Sequence, residues 1–218
     1  MKQGKQGRRF HDRDDAAHQL AQSLRRYRDA RPLVLAIPRG AVPMGQRIAS
    51  ELQGELDVVL VRKLGAPFSE EYAIGAVDES GWVYRSPLAA AAGANDAYIA
   101  HETARQMALL RQRRDRYTPL RPRVDPAGRT VIVVDDGLAT GATMIAALHA
   151  VRAGKPARLI CAVPVAAPDS LGQVQALADE VVCLHAPEDF AAVGQFYDNF
   201  DAVDDDEVAA ILANQGSA

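Results

Sequence analysis

Five uninterrupted aliphatic runs frame the chain: "PLVLAIP" (32–38), "LDVVLVRK" (56–63), "RTVIVVDD" (129–136), "ARLICAVPV" (157–165) and "DEVVCLH" (179–185). Runs that are apolar throughout, with no polar alternation, predict strands covered on both faces. Segments with helical character lie between most of them, over 43–52, 142–154 and 168–178. In the second of these, Ile145, Leu148 and Val151 recur at helical spacing, and Gly154 is placed to end the helix. Strands alternating with helices predict a parallel α/β sheet joined by right-handed crossovers.

One interval breaks this rhythm: 65 residues, Leu64 to Gly128, separate two core strands. Gly65 and Pro67 open it, and "YAIGAV" and "GWVY" around "DESG" predict a β-hairpin. A long helix follows over 95–117, with Asn95 as its N-cap and a charge-rich end, "RQRRDRY", that reads as a solvated face. A hairpin and helix inserted in this way suit a lid. Near the end of the chain, "DDDEVAAIL" reads as a helix start whose acids favour the helix dipole, not a metal cluster. The basic opening "MKQGKQGRRF" has no apolar stretch after it and reads as a loose tail over about 1–8, not as a secretory leader.

Composition narrows the class. With 218 residues, 48% hydrophobic and 24% charged, the chain suits one domain spanning 1–218. A net charge of −3 supplies no basic field for nucleic acid or an anionic membrane, and no apolar run is long enough to span a bilayer. Cys161 and Cys183 sit inside aliphatic runs and read as reduced thiols of a cytoplasmic protein. No Cys/His spacing suggests zinc.

The chemistry concentrates in "VIVVDDGLATGAT" (131–143). Open α/β sheets bind ligands beyond the carboxyl ends of their strands, which is where Asp135 and Asp136 fall. Adjacent carboxylates after a buried strand are costly without something to meet. Ala139, Thr140, Gly141, Ala142 and Thr143 lead into a helix; small side chains and a helix N-terminus make a phosphate cradle. The acids would repel a phosphate that touched them, so they suit sugar hydroxyls or a divalent cation on the same ligand. The stretch lacks the Lys of a Walker A loop and the spacing of a dinucleotide fingerprint. An ordinary strand-to-helix turn with one Asp as cap is the alternative.

This stretch resembles the ribosyl-phosphate signature of the type I phosphoribosyltransferases: four aliphatics, two acids and a T-G-x-T loop. "IPRGAVPMG" (37–45) is similar to the family's pyrophosphate loop, and Arg62-Lys63 resembles a basic pair that meets phosphate oxygens. "KLGAP", "AIGAV", "AVPVAAP" and "AVGQFYDNF" resemble, in order, a group of bacterial phosphoribosyltransferases of unassigned acceptor. The resemblance implies a three-layer α/β/α fold with a mostly parallel six-stranded sheet in the order 3-2-1-4-5-6. Strand 3 would be antiparallel and come from the 72–85 hairpin, with a lid or insert over about 64–128 and a hood over about 186–218. It implies phosphoribosyl pyrophosphate and a nitrogenous base as partners and Mg²⁺ as cofactor, with no nucleic acid or membrane, and leaves a homodimer open.

The resemblance also implies roles. Residues 139–143 hold the 5-phosphate. Asp135 and Asp136 are catalytic and, with Asp198, contact metal. Arg39 and Gly40 face the pyrophosphate, and Arg39 and Lys63 stabilise it as it leaves. Ala139 stands where relatives acting on 6-oxopurines carry an acid/base Asp, which argues against that substrate class and leaves Glu70 or Glu71 as replacements. Phe190, Phe196, Tyr197 and Phe200 serve either as a stacking surface for the base or as core. A regulator that keeps the donor site with little or no catalysis, and a hydrolase of a related substrate, remain as alternatives.

Overall fold

In the computed structural model, which describes residues 9–216, the aliphatic runs form β1 (Leu33–Ala36), β2 (Glu55–Val58), β6 (Thr130–Val134), β7 (Arg158–Val165) and β8 (Glu180–His185). These strands make one parallel sheet in the order β2-β1-β6-β7-β8. The tail expected over 1–8 lies outside the described residues. Successive strand residues point to opposite faces. Val34, Ala36, Ile132, Val134, Ile160 and Ala162 pack with α1 (Arg13–Ser23), α2 (Ala41–Leu52), α3 (Asp96–Tyr117) and α6 (Asp205–Ala213). Leu33, Leu35, Val131, Val133, Leu159 and Cys161 pack with α4 (Ala142–Ala153) and α5 (Pro168–Gln175). The three-layer expectation therefore holds, and covering on both faces is why the strands read as unbroken apolar runs.

The sixth strand is a correction. The 56–63 run is not one strand: β2 ends at Val58, and β3 (Val61–Ala66) begins a separate antiparallel sheet with β4 (Ser69–Asp78) and β5 (Val83–Arg85). The segment before β6 takes the outer edge of β2 instead. Arg121 Nε donates to the carbonyl of Leu56 (3.2 Å), and the Val124 N–H donates to the Asp57 carboxylate (2.9 Å). The small sheet is clamped between two helices: Leu64, Ile74 and Val77 belong to the α3 side of the core, Val61 and Ala76 to the α4 side. Trp82 stacks on His149 of α4 with centroids 3.7 Å apart.

Helix α3 starts where expected, with the Asn95 side chain accepting from the Tyr98 N–H (2.9 Å). Its basic end is not wholly a solvated face. The side chains of Arg113 and Arg114 are only 17% and 19% exposed, the first turned to Asp205 (3.4 Å), the second to Glu79. Cys161 and Cys183 are free thiols, and among the described residues no helix is long and apolar enough to cross a membrane.

Helix α1 has no counterpart in the expected elements. Asp12 caps it by accepting from the Asp15 N–H (2.9 Å), and Ala16, Ala17, Leu20 and Ala21 bury its inner face against α2, β7 and β8. Phe10 ties the start of the chain to its end: its N–H donates to Phe196 (2.8 Å), and its carbonyl accepts from Asp198 (2.9 Å).

The winding positions the site. The crossover β1–α2–β2 lies on one face of the sheet, and β6–α4–β7 on the other. Neighbouring strands β1 and β6 therefore send the chain in opposite directions at their carboxyl ends, which opens a crevice there. Burial in the inserted sheet is uneven: Ile74 to Val77 are buried, whereas Phe68 is 68% and Tyr72 42% exposed. Amide exchange should be slow over 74–77 and fast over 67–72. Uniformly fast exchange across 64–78, read by mass spectrometry, would contradict the docking of this sheet on α3 and α4.

Candidate active site

The two acids lie in that crevice. Asp135 accepts from the N–H of Asp136 (2.9 Å) and from the Thr143 hydroxyl. Asp136 accepts two N–H groups of Arg13 on one oxygen, at 3.0 and 2.9 Å, with the two side chains only 17% and 13% exposed. Arg13 also donates to the carbonyl of Asp201 (2.6 Å), and its guanidinium lies over the Phe200 ring (3.8 Å). The Tyr197 hydroxyl donates to the carbonyl of Asp136 (2.7 Å). Burial pushes both carboxyls up; the neighbouring Asp136 adds to the rise at Asp135, while Arg13 opposes the rise at Asp136. Both carboxyls therefore hold a proton more readily than an ordinary aspartate, Asp135 being lifted by its neighbour as well as by burial.

The pyrophosphate-like loop reaches the same place through Gly40. A Cβ there would lie 2.3 Å from the Asp136 carboxylate, so only glycine lets the end of β1 close onto the acids. The neighbouring Arg39 side chain turns to Asp205 (3.5 Å), not to Asp135.

The cradle follows the acids. Leu138 donates to Val165 (2.9 Å) and accepts from Ala167 (2.9 Å), while the Ser170 hydroxyl donates to the carbonyl of Ala139 (2.6 Å). Gly141 starts α4 at φ +73°, a conformation that favours glycine. Among the described residues, the amides of Ala139, Thr140 and Gly141 have no acceptor. They open, with the partial positive charge of the α4 N-terminus, onto a cleft of about 160 Å³ lined by residues 137–143, Lys63, Glu71 and Ala73.

Lys63 thus stands at the cradle, which corrects its expected place beside Arg39 at the leaving group. It pairs with Glu71 (2.5 Å). Arg62 points away, as the next residue on a strand must, and donates to Gln106 (2.8 Å). Glu70 pairs with Arg105 (2.9 Å), so a cation holds each of the two candidate acid/base groups. Asp198 pairs with Arg9 (3.0 Å), both side chains more than half-exposed, and has no contact with Asp135 or Asp136 among the described residues. In the expected hood, Val193 overhangs Gly137, where a Cβ would meet it at 2.7 Å. Phe196 and Tyr197 are core, Phe190 packs on Phe196 (5.3 Å), and Phe200 supports Arg13. A larger cavity, of about 540 Å³, lies at the far end of α4 among Asp57, Asp78, Arg123 and His149 and shares no residue with the cradle.

The raised carboxyl at Asp135 carries a sign. The folded state holds that proton more tightly than the unfolded chain, so its contribution to stability is full below the ordinary Asp value of about 4 and is lost as pH rises through the folded value. Asn keeps the acceptor oxygen and removes the charge. Asp135→Asn should therefore melt above wild type near neutral pH, with the gain vanishing in acid. Equal melting temperatures for the two proteins across that range would contradict a partly buried carboxyl that resists ionisation.

The profile of the family described as "Phosphoribosyl transferase domain" matches residues 9–201. Two strains of Mycobacterium tuberculosis carry a protein named as a putative phosphoribosyl transferase that is 42% identical over 204 residues, 93% of this chain and 46% of the relative. The chain thus spans about half the length of these curated relatives. The crystal structure of TT1426 from Thermus thermophilus is 47% identical with a TM-score of 0.79, covering 95% of this chain and 99% of that one. The chain belongs to the phosphoribosyl transferase domain family.

Proposed function

We propose that the chain transfers a phosphoribosyl group from phosphoribosyl pyrophosphate to a nitrogenous base, with Mg²⁺ as cofactor. One observation carries this reading: the free amides of the cradle, the acid pair and the Gly40 loop converge at the carboxyl ends of β1 and β6. The cradle suits the 5-phosphate, with Lys63 as counter-charge. The acids suit the ribose between the two anionic ends of the donor.

In the reaction, the C1–O bond breaks with its electron pair leaving on pyrophosphate. A nitrogen of the base bonds to C1 and gives up its proton to the departing pyrophosphate or to water. Positive charge develops on the ribose ring, as in glycoside hydrolysis. Asp135, with no cation of its own, stabilises that charge once ionised; Arg13 already balances Asp136. Asp135 also suits a magnesium ion, which needs only one or two protein carboxylates when substrate phosphates and water complete its shell. When bound, the ion supplies positive charge to the pyrophosphate.

The test is incubation with labelled donor, Mg²⁺ and a panel of bases. Pyrophosphate release with one base supports transfer; tight donor binding without release under any of them supports the regulator instead. Asp135→Asn should lower kcat by roughly 30- to 1000-fold while donor affinity changes little. A rate near wild type in a folded variant would remove Asp135 from the chemistry. Asp136→Asn is the poorer probe, because it also removes the carboxylate that pairs with the partly buried Arg13, mixing a loss of stability with any loss of rate. Gly141→Val forces a β-branched residue into a left-handed turn and should abolish binding of ribose 5-phosphate by calorimetry.

A further inference from the structure

Three guanidinium groups gather where α3, β3 and the end of β1 meet: Arg113, Arg62 and Arg39. One carboxylate, Asp205 in the first turn of α6, meets two of them, with Arg39 at 3.5 Å and Arg113 at 3.4 Å, and accepts from the Tyr117 hydroxyl (2.5 Å). Among the described residues Arg62 hydrogen-bonds to the neutral Gln106 and feels the Asp205 charge without pairing with it. Burial and the neighbouring Arg113, Arg39 and Arg105 all weaken the hold of Arg62 on its proton. Asp205 is raised by burial, but Tyr117, Arg113, Arg39 and Arg116 outweigh this and hold it below its usual value. Two partly buried guanidinium groups, Arg62 and Arg113, and the more exposed Arg39 share one carboxylate and are short of negative charge. Guanidinium groups fit phosphate oxygens in paired hydrogen bonds.

The position says which phosphate. Arg39 is the neighbour of Gly40, which touches Asp136, whereas Lys63 lies at the cradle. Resting on the donor reading above, we infer that Arg113 of the inserted helix completes the pyrophosphate half of the donor site with Arg39 and Arg62, and that Asp205 occupies this half-site in the free protein as a built-in competing carboxylate. Donor binding then exchanges one anion for another on the same arginines. Arg113 and Asp205 lie far apart in the chain, and the tertiary fold unites them.

The experiment is calorimetric titration of the whole chain with magnesium pyrophosphate and, separately, with ribose 5-phosphate. Asp205→Asn removes the competitor without touching the α6 N-cap, which is Asp204. It should bind pyrophosphate about tenfold more tightly, and Arg113→Met about tenfold more weakly, with ribose 5-phosphate unchanged in both. A structural ion pair would lower the melting temperature of Asp205→Asn without tightening pyrophosphate. Pyrophosphate affinity unmoved in both variants, with ribose 5-phosphate bound normally, overturns this inference alone. Wild type that fails to bind ribose 5-phosphate overturns the donor reading and this inference with it.

Discussion

Two adjacent carboxyls at the end of a buried strand are the constraint from which the rest of the site follows. Ionised side by side and largely removed from water, they repel each other and lose hydration. The fold answers with an arginine from the other end of the chain, an N–H, a threonine hydroxyl and a proton held more tightly than usual at Asp135. Arg13 requires α1 to dock, and α1 docks because its apolar face covers α2, β7 and β8. Phe200 requires the C-terminal segment to pass beneath the guanidinium, and Phe10 holds that segment in place. Gly40 closes the arrangement by having no side chain. A protein selected for stability alone would not keep this pair; on the proposed reading, a ligand that carries positive charge to it offsets the cost.

The inserted segment gives the site its two cationic poles. Strand β3 carries Arg62 and Lys63 in succession, and the pleat sends them to opposite sides. Lys63 faces the cradle at the start of α4; Arg62 faces α3 and the arginine cluster. Because the small sheet is packed between α3 and α4, a shift of that sheet moves both poles together. On the proposed reading this couples recognition of the 5-phosphate to recognition of the pyrophosphate.

Much of this was legible in the sequence. The aliphatic runs located all five parallel strands because burial on both faces leaves no polar alternation to confuse them. The acid pair, the small-residue loop and Gly40 were visible because their chemistry is local. The split of residues 56–63 was not visible, since an apolar run does not show which edge it pairs with or that residues 59–60 break it into two strands of different sheets. Helix α1 was legible in principle from Ala16, Ala17, Leu20, Ala21 and Leu24 at helical spacing after a capping Asp12. The role of Arg13 was not, for its carboxylate partner lies 123 residues away. Arg113 and Arg114 looked like surface charge because only the tertiary structure supplies Asp205 and Glu79.

The central claim is that Asp135 is a partly buried carboxyl whose proton is held more tightly than usual and which, on the proposed reading, takes a cationic partner. Carbon-13 NMR titration of the aspartate carboxyls in the free protein, with Asp135→Asn to assign the signal, tests it most directly. The account predicts that the signal missing from the variant titrates well above the ordinary value of about 4. An Asp135 that titrates at or below that value would contradict the account, for the carboxyl would then be at ease without its ligand.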